Sequence, residues 1–118
     1  MTYQDFIEEV KGLDFIKDDA TADAAIKAIL GTLASSMDEA SARQMTENLP
    51  EPLTYEKLRS HQAHINVFTS GNFLKQIADQ FNLNMDQVDR LIHTVINLAN
   101  GATGLNIEEM SRARLTGL

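Results

Sequence analysis

The sequence predicts an all-α fold, and three observations carry that reading. Apolar residues recur at three- and four-residue steps along almost the whole chain, the spacing that gathers them on one face of a helix. No segment keeps up the two-residue alternation of a half-buried strand; Val67 and Phe68 look strand-like alone, but a lone strand has nothing to pair with. Ser, Thr, Asp, Asn, Gly and Pro fall where helices of ordinary length start and stop. With 118 residues, 43% of them hydrophobic, the chain supports one core and leaves no room for a second domain of ordinary size. The absence of tryptophan makes that core mostly aliphatic.

The first helix carries Tyr3, Phe6, Ile7 and Val10 on one face. Thr2 and Asp5 form a capping box at its start, with Asp in place of the usual Glu, and Gly12 ends it. Residues 20–35 form a second helix with Ile26, Ile29, Leu30 and Leu33 on one face; its alanines favour the helix and allow close approach of a neighbour. Ser36 and Glu39 open a third helix through Ala42, Met45 and Leu49. Pro50 and Pro52 stop it, because the proline ring removes a donor and clashes with the preceding turn. Leu53, Tyr55 and Leu58 mark a fourth helix running to about His64.

Asn66 to Asn72 is the most loop-like stretch and reads as the midpoint connection. Phe73, Leu74, Ile77, Ala78 and Phe81 make the next helix. After Asn82 to Asn84 comes the clearest one, with Val88, Leu91, Ile92, Val95, Ile96 and Ala99; Asn84 is its expected N-cap and Asn100-Gly101 its expected end. A last short helix from about Asn106 carries Ile107, Met110 and Leu115.

The order of these elements repeats. Phe6-Ile7-x-x-Val10 is echoed by Phe73-Leu74-x-x-Ile77, Leu33-Ala34-Ser35-Ser36 by Leu98-Ala99-Asn100-Gly101, and Glu39…Met45…Leu49 by Glu108-Glu109-Met110…Leu115. Half the chain alone has a marginal core, so the halves are expected to pack the Ile26–Leu33 stripe against the Val88–Ala99 stripe. The expected architecture is a single domain over residues 1–118: a compact bundle of six or seven helices in two similar three-helix repeats with approximate two-fold symmetry. Repeat one covers about 1–60, the connection about 61–71 and repeat two about 72–118.

The opening Phe6-x-x-x-Val10, the helix Ala24-Ala25-x-x-Ala28-Ile29-Leu30-x-x-Leu33 and the run Glu39-Ala40…Leu49-Pro50-x-x-Leu53 resemble the domain-of-unknown-function-2267 family. These are small bacterial helical proteins built from two such repeats. The match is closer in the first repeat; in the second, Arg114-Leu115-Thr116 stands where a Leu-Pro pair is expected, and residues 54–72 match weakly. The resemblance implies an all-α duplicated fold in the bacterial cytoplasm. The family brings no established activity, so it implies no catalytic residues.

A net charge of −7 argues against nucleic acid and anionic membranes as partners, since both need a cationic patch. The surplus is uneven, with 12 acidic and 6 basic side chains in residues 1–60, and Arg112 and Arg114 form the nearest thing to a basic pair. Zero cysteines exclude disulfides and thiolate chemistry. No basic stretch leads into an apolar run at the N-terminus and no apolar segment approaches the ~20 residues needed to cross a bilayer, so a cytoplasmic protein is expected.

His61 and His64 share a helical face at a spacing two metal-binding imidazoles use, but Glu56 is the only carboxylate near them, short of the three or four ligands zinc takes; they read as ordinary polar residues. His93, between Ile92 and Thr94, reads as a polar group at the edge of the core, or as a general base in a cleft without an identified nucleophile. Glu8-Glu9, Asp18-Asp19, Asp38-Glu39 and Glu108-Glu109 lack the arrangement of a calcium loop and read as capping and solvated charge. Gly101-x-x-Gly104 follows no strand and precedes no Lys-Ser/Thr, so a helix end with a tight turn is expected and not a phosphate cradle.

Leu49, Pro50 and Leu53 form a possible partner-docking element, whose plainer role is to end one helix and pin the chain as it enters the next. Met37, Met45, Met85 and Met110 lie at or near helix edges, where Met fills core gaps or lines an adaptable groove. No catalytic, cofactor-binding or metal-binding residues are assigned, and an enzyme is not expected. The expectation is a protein-interaction or assembly module with a protein partner or a second copy, with a small apolar ligand between the two repeats as the alternative.

Overall fold

Thr2 opens the chain's first helix as its sequence indicates: its hydroxyl accepts from the Asp5 amide at 3.2 Å and the Asp5 carboxylate accepts from the Thr2 amide at 2.8 Å. The computed structural model describes residues 2–35, 37–61 and 70–107, which form six helices and, among the described residues, no strand. They are α1 (Tyr3–Lys11), α2 (Asp19–Ser35), α3 (Glu39–Glu47), α4 (Tyr55–His61), α5 (Ser70–Phe81) and α6 (Met85–Thr103). The all-α bundle expected from the spacing is what the chain forms.

α2 is the centre of the bundle and packs against all five other helices. From Ile29 to Ala34 every residue is buried, Gly31 and Thr32 included. A helix covered all round has no single apolar face to offer. The Val88–Ala99 stripe of α6 does reach α2, but α4 covers more of it, and α1 and α5 also lie against it. The two-stripe sandwich expected from the sequence is therefore a hub with neighbours on every side. The core is largely aliphatic, with Phe6 its one aromatic among the described buried residues. α1 also packs on α6, and α5 on α6.

Several boundaries depart from expectation for local reasons. α3 is capped by Asp38, whose carboxylate accepts from the Ser41 amide at 2.8 Å, and not by Ser36. Met37 then precedes the cap and is buried, as is Ala42 four residues into the helix, the two positions of a hydrophobic staple. α3 stops at Glu47, leaving Leu49 in the turn that follows. In that turn the Glu51–Pro52 bond is cis, and the Leu53 and Thr54 amides donate to the Pro50 and Pro52 carbonyls at 2.9 Å.

α5 begins at Ser70, inside the stretch read as a loop. A helix's first turn tolerates Ser, Gly and Asn because its amides lack intrahelical partners in any case. Residues 66–69 and the expected extension of α4 to His64 lie outside the described residues. α5 ends in a left-handed Asn82 (φ 55°), with the Leu83 amide donating back to the Ala78 carbonyl at 2.9 Å, a Schellman closure.

Asn84 caps α6 as expected, in a box with Gln87. The helix does not end at Asn100-Gly101: it continues through Gly101 to Thr103, and the left-handed residue is Gly104 (φ 70°). The Gly104 amide donates to the Asn100 carbonyl at 2.9 Å, and the Asn100 side chain accepts from the Ile107 amide at 2.8 Å. That second bond turns the chain so that Ile107 is fully buried. The rest of the expected last helix lies outside the described residues.

Candidate functional site

Among the described residues a polar cluster joins α1 to the start of α2. The half-buried Tyr3 hydroxyl donates to the Asp23 carboxylate, and the Lys27 ammonium lies 3.1 Å from each Asp23 oxygen. Burial, the bond to Asp23 and its negative charge, in that order, push Tyr3 ionisation far above the ordinary tyrosine range. A hydroxyl held protonated in this way is a fixed donor and a poor base. At the other end of α1, Lys11 pairs with Asp19 at 2.7 Å and Glu8 at 3.7 Å. The Asp18 carboxylate accepts from the Thr21 amide at 2.7 Å, capping α2.

Two arginine–aromatic contacts fasten other joints. Arg43 of α3 lies over the Tyr55 ring of α4 at 4.2 Å, and Arg90 of α6 over Phe15, between α1 and α2, at 5.5 Å. Each arginine also faces a carboxylate: Glu39 at 3.4 Å and Asp14 at 3.8 Å. These contacts orient helices, and none pairs a nucleophile with a general base. Among the described residues no three His, Asp or Glu side chains gather as a metal site requires.

A family model described as "Uncharacterized conserved protein (DUF2267)" matches residues 3–113. The chain belongs to the DUF2267 family. The match takes in all six helices, the Tyr3–Asp23–Lys27 cluster and both arginine–aromatic contacts. No curated protein and no solved structure matches the chain.

In this DUF2267 protein Leu49 and Leu53 are buried, and Pro50 between them is half-buried. His93 is exposed, neither at the edge of the core nor in a cleft; its Nδ1 is 2.8 Å from the Asp89 carbonyl oxygen and 3.3 Å from the Asp89 carboxylate. Its place on α6, off the apolar stripe, turns it to solvent. Of the acidic pairs, Asp18 and Asp38 cap helices, while Glu8, Asp19 and Glu39 pair with cations; Glu108-Glu109 lies outside the described residues, as do His64 and the His61 side chain. Gly101 lies within α6 and Gly104 closes it, so Gly101-x-x-Gly104 stands at a helix C-terminus and cannot cradle a phosphate there. Met37 and Met45 are core residues, whereas Met85 is exposed; Met110 lies outside the described residues.

Sequence reasoning missed the Tyr3–Asp23–Lys27 cluster and both arginine–aromatic contacts. Asp23 and Lys27 stand four apart on one helix, a visible signal for an ion pair. Nothing local signals that Tyr3, twenty residues away, completes it.

Proposed function

We propose that this protein is a non-catalytic interaction module that meets a protein partner through polar, reversible contacts. The carrying observation is how its side chains are used. Its strongest polar interactions cap helices or fasten one to another, while large apolar residues are gathered into one core. Among the described residues Met85 is the one large apolar side chain that is exposed. A permanent partner normally covers a broad apolar face, whereas a transient one is met by polar and charged groups.

The Leu49-Pro50-x-x-Leu53 corner is the proposed docking element in a modified role. Leu49 and Leu53 anchor the turn from below, so that Pro50 and the exposed Glu51 are what a partner meets. The two-repeat reading belongs to the same proposal. Contacts of α1 with α6 and of α2 with α5, beside those of α1 with α2 and α5 with α6, are the set that a two-fold axis between repeats generates, which supports it. The surplus of acidic residues favours a partner that is not a nucleic acid, in keeping with a bacterial cytoplasmic setting. Among the described residues no helix is long and apolar enough to cross a membrane.

The test is the native mass of the protein isolated from its host at low and at raised salt, for the wild type and for Glu51→Arg. A protein-sized added mass that is lost in raised salt and in the variant supports the proposal. A single-chain mass throughout overturns it. A small added mass overturns it in favour of a bound ligand.

A further inference from the structure

Asn100-Gly101 is the one asparagine–glycine pair in the chain; every other asparagine precedes Leu, Val, Phe, Met or Ile. A glycine after asparagine leaves the backbone nitrogen unshielded and the backbone free to turn, so that nitrogen can attack the asparagine side chain. The Gly101 nitrogen gives up its proton and bonds to Asn100 Cγ, the bond from Cγ to the side-chain nitrogen breaks, and ammonia leaves. Water then opens the resulting succinimide at either carbonyl. One product is aspartate. The other is isoaspartate, whose main chain runs through the former side chain and is longer by a methylene. Asn100 is half-buried and Gly101 exposed, so water reaches the pair.

We propose that Asn100-Gly101 is a site of spontaneous covalent modification by this route, closed while the end of α6 is folded and opened when that end frays. Gly101 lies inside α6, where a helical N–H is directed at the carbonyl four residues back. Asn100 is held at two points: its Oδ1 accepts from the Ile107 amide at 2.8 Å and its carbonyl from the Gly104 amide at 2.9 Å. Thr103 fastens the same turn, its hydroxyl donating to the Ala99 carbonyl at 2.8 Å and accepting from the Leu105 amide at 3.1 Å. For the Gly101 nitrogen to meet Cγ, Asn100 must leave its helical backbone angles and free its side chain. That movement breaks both Asn100 bonds and lifts the fully buried Ile107 from the core. Each product then resists reclosure. Aspartate keeps an acceptor for Ile107 but sets a negative charge at the negative end of the α6 dipole. Isoaspartate lengthens the backbone within the last turn and takes the acceptor's carbon into the main chain. A transient opening thus leaves a permanent chemical record.

The test follows Asn100 in the full chain at neutral pH, folded and in concentrated guanidinium chloride, by mass spectrometry of the tryptic peptide Leu91–Arg112. That peptide also carries Asn97 and Asn106 as internal controls. Conversion should be confined to Asn100, yield isoaspartate, and run about 100-fold or more slower in the folded protein. That factor corresponds to two hydrogen bonds and the burial of Ile107. Gly104→Ala leaves the reacting pair intact but weakens its closure, and should speed the folded rate about fivefold with the denatured rate unchanged. The wild-type ratio decides even where that variant fails to fold. Wild-type chain converted in denaturant and then refolded should unfold at a lower urea midpoint than the unconverted chain. Equal rates in the two states, equal conversion at Asn97 or Asn106, a folded Gly104→Ala no faster than wild type, or an unchanged midpoint overturns the proposal.

Discussion

Gly101 and Gly104 lie three residues apart, and replacing each by alanine should move stability in opposite directions. Gly101 is inside α6, exposed, and a Cβ built there meets nothing within 4 Å. Glycine in a helix interior is worse than alanine by about 1 kcal/mol, so Gly101→Ala should stabilise by about that much. Gly104 also has open space around a built Cβ, but its φ is +70°. An L-residue there costs about 1–2 kcal/mol, offset in part by the stiffer unfolded chain, so Gly104→Ala should destabilise by about 1 kcal/mol net. For a 118-residue domain the unfolding entropy is about 0.25 kcal/mol/K, which converts each change to about 4 °C in Tm. Thermal unfolding followed by circular dichroism, with urea titration as a second measure, reads both. Gly104→Asn should lie between alanine and wild type, since Asn tolerates the left-handed region. Destabilisation by Gly101→Ala would mean the helix ends at Asn100 after all, and a neutral Gly104→Ala would refute the assignment of the cap.

Leu91 is fully buried in α6, so Leu91→Ala should cost about 2–5 kcal/mol by urea unfolding; a loss under 1 kcal/mol would contradict its burial. Asn84→Ala removes the α6 cap and should cost about 1 kcal/mol, with the loss confined in hydrogen exchange to the helix's first turn. Tyr3 is held protonated in the folded state, so its contribution is intact below the ordinary tyrosine value of 10.0 and is lost as pH rises above it. The urea midpoint of the wild type should therefore fall more steeply between pH 9 and pH 12 than that of Tyr3→Phe, and equal slopes would rule out the buried donor.

What the sequence discloses is governed by distance along the chain. The Thr2/Asp5 box, the Asn84 cap and the stop before Pro50 were legible because each involves neighbours whose chemistry is local. Asp38 competed with Ser36 for one cap, and the choice falls to the residue whose successor starts the helix. Gly101 misled because glycine signals a helix end only when it takes the left-handed conformation, which Gly104 does and Gly101 does not. The first half-turn of α5 was hidden because Ser70, Gly71 and Asn72 have loop propensities that a helix's opening turn tolerates. At Leu49-Pro50-x-x-Leu53 the turn was legible from the prolines, but not the direction the leucines face, which is into the core.

The central place of α2 explains why the remaining contacts were illegible. A surface helix announces its buried face by a stripe, but α2 is apolar or small almost all round from Ile29 to Ala34, so its sequence names no preferred neighbour. Which helices surround it must come from their own stripes, and those of α1, α5 and α6 are similar enough to be exchanged. The polar contacts resolve that degeneracy in the folded protein. Tyr3 to Asp23 and Lys11 to Asp19 tie the two ends of α1 to successive turns of α2, and Arg90 over Phe15 ties α6 to the connection between them. Burial of Phe6, Ile7 and Val10 is worth about 1.5–3 kcal/mol for each side chain, far more than one exposed ion pair. Apolar burial therefore holds α1 in place, while the weaker polar contacts select which way it lies. The clustered polar groups at this joint thus have a structural explanation: they fix the direction in which α1 lies on α2.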